Sequence, residues 1–134
     1  MKYYFDENFS PYLVRGLALI ETLEPQVDIF CTIDVKALKR GAPDEKIIPY
    51  VANEDGILIT QDINMRRTQH LYQSLESHGV GVFFFSFPQG GNKYWEIVSQ
   101  TIKRWNDLKK IAHKENSRRP YAFRITNRGG FKKL

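Results

Sequence analysis

The 134-residue chain predicts an α/β fold: three layers, helix over sheet over helix, around a mostly parallel sheet of about five strands. Three observations carry that expectation. Short apolar runs alternate with helix-spaced amphipathic stretches, the order expected of βαβ units. Residues 80–87 are almost continuously apolar rather than alternating, which suits a strand covered on both faces. No repeat or low-complexity block interrupts the pattern. Residues 1–126 therefore read as one domain, and the glycine-rich, basic residues 127–134 as a flexible tail.

The elements follow in order. Lys2–Phe5 is a short aromatic run and a good buried strand. Ser10-Pro11 marks a helix start, with Ser10 as N-cap and Pro11 at the first helical position. Leu13, Leu17 and Ile20 then share one helical face, and Pro25 ends the element. Residues 27–33 form a second strand, followed by a short turn or helix up to Gly41. A further helix opens at Ala42-Pro43-Asp44-Glu45 and packs Ile47, Ile48, Val51 and Ala52 inward. Pro49 inside it should kink or split it. Asp55-Gly56 is a turn, and residues 57–60 are the third strand. Residues 65–77 are a helix closed by Gly79, with Leu71 and Leu75 inside. The fourth strand is 80–87. A long helix over 94–112 uses Ile97, Val98, Ile102, Trp105, Leu108 and Ile111, and residues 118–126 make a last, edge strand.

Composition narrows the classes. At 42% hydrophobic residues, the chain is suited to a soluble globular domain. No apolar run approaches the ~20 residues of a membrane span, and the start lacks the pattern of a signal peptide. Cys31 is the one cysteine, so no internal disulfide forms, and it reads as a small buried filler. A cytoplasmic protein is the plain expectation. The net charge of +5 conceals a division. Residues 1–92 carry 8 Lys/Arg against 12 Asp/Glu, and residues 93–134 carry 12 against 3. An acidic half and a basic half suit a polyanion lying on the basic surface with one phosphate presented to an acidic centre.

That centre has candidates. Asp6-Glu7 follows the first strand, Asp62-Ile63-Asn64 follows the third, and Asp44-Glu45 opens a helix. Ligands in open α/β sheets bind outside the carboxyl ends of strands. Converging carboxylates repel one another unless a hard cation such as Mg2+ lies between them. Asp6, Asp44 and Asp62 are the candidate metal ligands and catalytic residues. Taken singly, each has a plainer role as a strand-end or helix-terminus carboxylate. Glu7, Glu45, Thr60 and Asn64 are auxiliary candidates around them. Arg66 and Arg67 are placed to hold a neighbouring phosphate. Lys103, Arg104, Lys110, Arg118, Arg119 and Arg124 supply further candidate phosphate contacts. His70, His78 and His113 follow no catalytic spacing and read as surface residues.

The strings Tyr4-Phe5-Asp6-Glu7-Asn8, Gly41-Ala42-Pro43-Asp44-Glu45 and Ile57-Leu58-Ile59-Thr60-Gln61-Asp62-Ile63-Asn64-Met65 together resemble PIN-like ribonuclease domains over roughly residues 1–87. They look most like the compact branch that begins with a DEN motif, often met as VapC-type toxin components. The resemblance implies a PIN fold and an endoribonuclease dependent on Mg2+ or Mn2+, with Asp6, Asp44 and Asp62 as acidic ligands. It also implies RNA as substrate and a cognate antitoxin as partner, and it allows a homodimer. Asn64 departs from the pattern, because the family often has a fourth acid there. A catalytically weak or inactive module that binds RNA or a partner protein is therefore the alternative reading. A receiver-like phosphoacceptor also gathers acids at strand ends, but residues 80–91 contain no lysine, which ranks it low.

Overall fold

A computed structural model of the chain describes residues 1–61, 65–87 and 93–134, and of residues 65–68 only the backbone. Six strands form one sheet: β1 Lys2–Phe5, β2 Asp28–Cys31, β3 Ile57–Gln61, β4 Gly81–Phe85, β5 Tyr121–Ile125 and β6 Phe131–Lys133. The helices are α1 Pro11–Ile20, α2 Asp44–Asn53, α3 Met65–His78 and α4 Lys93–Glu115. The strand order is β2-β1-β3-β4-β5-β6. The first five strands run parallel, and β6 runs antiparallel to β5. The three-layer α/β/α class expected from the alternation is the one observed.

Strand periodicity sorts the core into two halves. Tyr3, Phe5, Ile57, Ile59, Phe83, Phe85, Tyr121, Phe123 and Ile125 point to one face, where α1 and α4 cover them. Tyr4, Leu58, Val82, Phe84 and Ala122 point to the other, beneath α2 and α3. Every residue of β3 and β4 is buried, as a run without alternation requires. Gly81 serves this packing directly, since a Cβ there would lie 2.3 Å from the Tyr121 ring.

The steps from β3 to β4 and from β4 to β5 go the same way across the sheet. Yet α3 covers one face and α4 the other. The two crossovers are therefore of opposite hand, one of them against the strong right-handed rule. The result is that α4 lies on the same face as α1.

Several expectations are corrected. Residues 127–134 are not a tail outside the sheet: the Thr126 N–H donates to the Gly130 carbonyl, the Gly130 N–H donates to the Thr126 hydroxyl, and Phe131–Lys133 adds a sixth strand. α2 is not split, because Pro49 is followed by helix through Asn53. The proline costs the carbonyl one turn earlier, Glu45, its helical donor. Ser10 occupies the N-cap position of α1, but its side chain makes no capping bond. Ile20 and Ile102, expected inside, are 68% and 48% exposed. The faces are instead completed by Val14 on α1 and by Thr101 and Ala112 on α4. β2 is shorter than expected, because Thr32–Asp34 closes into a 3-10 turn. Gly79, at φ +69°, ends α3 as the sequence suggested.

Candidate active site at the carboxyl ends of β1 and β3

β1 and β3 are neighbours, with Phe5 opposite Ile59. From β1 the chain crosses to β2 on one side, and from β2 it returns past β1 to β3 on the other. This reversal makes a topological switch point, where open α/β sheets leave a crevice at the strands' carboxyl ends. Asp6 is the residue that follows β1 there, and its backbone N–H still donates to the Ile59 carbonyl at 3.1 Å.

The Asp6 side chain is only 2% exposed. Its Oδ1 accepts the Asn8 backbone N–H at 3.0 Å, and its Oδ2 accepts the Asn8 side-chain amide at 3.2 Å. The Thr60 hydroxyl donates to Oδ2 as well. Such bonds favour the charged carboxylate and fix its orientation. The first pair is an Asx-type turn, in which the short Asp side chain bonds the backbone two residues on. The third bond comes from β3, whose Thr60 is wholly buried. Behind this clamp, the Gln61 amide donates to the Asn8 carbonyl at 2.7 Å. Asn8 and Gln61 were assigned no role from sequence. The available signals were an Asn two residues after a strand-end Asp and a buried amide closing an apolar strand, which must find a partner.

The other candidates fall in different places. Glu7 is exposed, and its carboxylate accepts the Gly41 N–H at 3.0 Å, tying the segment before α2 to the end of β1. Asp44 is half-buried at the first position of α2, where its charge also suits the helix dipole. Glu45 is exposed and lies 3.4 Å from His70 Nε2. Its own backbone N–H, and then His70, hold its carboxyl below the usual range. Asp62, Asn64 and the side chains of Arg66 and Arg67 lie outside the described residues. Among the described residues, no group of three His, Cys, Asp or Glu side chains is placed to hold a metal ion.

Among the described residues, the basic candidates are spread over both ends of the sheet. α4 joins the end of β4 to the start of β5, so it runs from the carboxyl ends of the strands back to their amino ends. Lys103 and Lys110 are exposed along it. Arg104 is half-buried and donates to the Arg128 carbonyl at 3.4 Å. Arg118 is exposed in the turn after α4. Arg119 donates to the Gly56 carbonyl at 2.6 Å, the Asp55 carbonyl at 3.2 Å and the Asn116 side chain at 2.9 Å. It thus joins the amino ends of β3 and β5, at the opposite end of the sheet from Asp6. Arg124 is half-buried within β5, level with Phe84 and Lys132. A cleft of about 540 Å3 at that opposite end is lined by Tyr3, Val27, Asn106, Lys109, Lys110 and His113 among others.

Cys31 is buried, and burial pushes its thiol up, consistent with a filler. No helix among the described residues is long and apolar enough to cross a membrane.

A family model described as PIN like domain matches residues 1–87, the segment that contains β1 to β4 and the Asp6 clamp. No curated protein and no solved structure matches the chain. PIN-like domains are commonly nucleases, so the match points to a nuclease-type function. With most of its length matched and the expected α/β/α architecture in place, the chain belongs to the PIN-like domain family.

Proposed function

We propose that this protein is a metal-dependent endoribonuclease that uses Asp6, Asp44 and Asp62, and that it acts as the toxin of a toxin–antitoxin pair in the cytoplasm. The observation that carries the reading is the buried, clamped Asp6 carboxylate at the switch point between β1 and β3 of a PIN-like domain. The donor set fits a hard cation. A carboxylate offers about four lone-pair sites, and hard cations prefer oxygen ligands of this kind. Asp44 adds a half-buried carboxylate at the start of α2.

Mg2+ or Mn2+ held by these carboxylates would polarise the phosphodiester and acidify a bound water. The protein's own work is positioning. Asn8 and Thr60 keep the Asp6 side chain aimed, and Gln61 holds Asn8 in place. Glu7 fixes the approach to α2 through Gly41, and so the place of Asp44. The basic residues Lys103 and Lys110 on α4, with Arg66 and Arg67, would take RNA phosphates. The expected antitoxin would suppress uncontrolled cleavage by covering the acidic centre.

The test is cleavage of a mixed-sequence fluorescent single-stranded RNA with Mn2+ or Mg2+, against EDTA and against the Asp6→Asn/Asp62→Asn double variant. Metal-dependent cutting that is lost in the variant supports the reading. No cutting in either metal, with RNA binding unchanged in the variant, would overturn it in favour of a binding module on the same scaffold.

A further inference from the structure

We propose that the hairpin of β5 and β6 grips the RNA backbone beside the Asp6 centre, with Arg124 and Lys132 holding phosphates next to the one being cut; the identity of that phosphate rests on the nuclease reading, and the placement on the sheet register. Phe5 lies opposite Ile59, so Asp6 is level with Thr60. Thr60 pairs with Phe84, Phe84 with Arg124, and Arg124 with Lys132. These five residues make one row across the carboxyl-end side of the sheet. Residues side by side in a sheet point to the same face, and Leu58, Phe84 and Ala122 identify that face as the one beneath α2 and α3. The bond from Thr60 to Asp6 lies on it. The row therefore carries a carboxylate at one end and two cations at the other. Arg124 is three strand spacings, ~14 Å, from Asp6 along the backbone. Its side chain covers part of that distance, and the phosphate neighbouring the scissile one covers the rest.

The pairing of the two cations points to an anion. Like charges placed directly opposite on neighbouring strands destabilise the pair. Arg124 and Lys132 are so placed, and a phosphate lying across both removes the repulsion. Arg124 is the one charged residue of β5, half-buried between buried Phe123 and Ile125. Its planar fork of donors suits phosphate oxygens, and partial removal from water strengthens such a bond. Lys132 is exposed and has no acidic partner among the described residues. Arg128 adds a further exposed cation in the turn. Residues 116–134 hold six Lys and Arg and no Asp or Glu, so nothing in this stretch of sequence offsets them.

The hairpin presents these cations from a fixed turn. Thr126 and Gly130 close it with bonds of 2.9 and 3.0 Å. Arg104 of α4 donates to the Arg128 carbonyl at 3.4 Å. Its guanidinium fills the space beside Gly129, at φ +88°, where a Cβ would overlap it. A preformed site spares the ordering cost that a flexible basic tail would meet on binding. An acidic protein segment is the competing occupant. RNA is favoured because the same row ends on Asp6, where the proposed reaction needs a phosphodiester.

The experiment is fluorescence anisotropy of a labelled mixed-sequence single-stranded RNA with the full-length chain, in EDTA so that nothing is cut, over about 50–200 mM salt. Arg124→Gln and Lys132→Gln should each lower the salt slope by about 0.7 and weaken binding about 3–10-fold. Arg124→Lys should keep the slope, because the charge stays. Lys132→Gln should also raise the thermal midpoint slightly, since it removes a like-charge pair, which separates lost binding from lost fold. With Mn2+ present, the two Gln variants should raise KM for RNA cleavage more than they lower kcat. Salt slopes unchanged in Lys132→Gln and in folded Arg124→Gln overturn the proposal and leave the hairpin to an acidic protein partner. Lowered slopes in a chain that cuts no RNA would sink the nuclease reading and keep the hairpin as an RNA-binding arm. Metal-dependent cutting with unchanged slopes would do the reverse.

Discussion

Two buried carboxylates, one at each end of α1, have opposite surroundings. Asp6, ahead of the helix, is held by its own turn and by the adjacent strand: Asn8 two residues on and Thr60 on β3. Glu21, just after the helix, is 6% exposed and is reached from the far side of the sequence. Lys109 Nζ lies 2.7 Å from its Oε1, and Trp105 Nε1 donates to the same oxygen at 2.5 Å. Glu21 thereby joins α1 to α4 across 84 and 88 residues of sequence. The difference separates two uses of a buried acid. A carboxylate neutralised by a lysine and wrapped by a tryptophan is a structural tie. A carboxylate oriented by an Asx turn and a hydroxyl at a sheet switch point is the one to which the proposed function assigns a ligand.

The strongest way to break this contrast is Asp6→Asn. It should lower metal-dependent RNA cleavage on the order of 1,000-fold, the loss of several kcal/mol of charge stabilisation. Stability should fall by only about 1 kcal/mol, since the amide oxygen keeps the Asn8 backbone bond and the Asn8 amide and Thr60 hydroxyl can turn their oxygens toward the new amide nitrogen. A urea melt and a single-turnover assay read the two quantities, and a large loss of stability would make Asp6 a structural acid like Glu21. Glu21→Ala should do the reverse. Stranding Lys109 should cost about 3 kcal/mol of unfolding free energy, while cleavage per folded molecule stays near wild type.

Thr60→Val sharpens the Asp6 side. It removes one donor from the clamp, so cleavage should fall about 10–100-fold, with a rise in the metal concentration needed for half activity. A variant with unchanged metal dependence would remove Thr60 from the positioning role. Adjacent lysines sharpen the Glu21 side. Lys110→Gln should lower the salt slope of RNA binding by about 0.7, the share of one phosphate contact on a single strand. Lys109→Gln should leave that slope unchanged and lower the melting temperature, because its charge is engaged with Glu21. The smallest effect concerns Glu45. Its carboxyl is held below 4.5 by its own backbone N–H and by His70, so its contribution to stability is complete above that pH and is lost as pH falls through the lowered value. Glu45→Gln should therefore show a slightly smaller drop in melting temperature between about pH 6 and about pH 3 than wild type.

Local patterns made much of this legible. The aromatic run before Asp6, the proline at the start of α1, Gly79 after α3 and the unbroken apolar β4 each announce their element through short-range chemistry. The three quoted motifs delimited the PIN-like segment over the same residues that the family model matches. Ile20 and Ile102 were misplaced because spacing marks an apolar face without telling core from outer surface. The β6 hairpin was missed because a three-residue strand among glycines and lysines carries almost no periodic signal. Arg119 reads as one more basic residue until its carbonyl partners on Asp55 and Gly56 are seen.

The sequence by itself determined the α/β class, the order of the first five strands and four helices along the chain, and Asp6 as the acid that ends β1. Those are set by hydrophobic period, turn chemistry and motif, all local in the chain. Only the tertiary structure decided that β1 and β3 are neighbours, that α4 shares a face with α1, that Thr60 and Gln61 support the Asp6 turn, and that Glu21 ties to Lys109. Each of these joins residues more than fifty positions apart. Such pairings are selected by packing two apolar faces of one sheet and by the need of every buried polar group for a partner, conditions that no short stretch of chain contains.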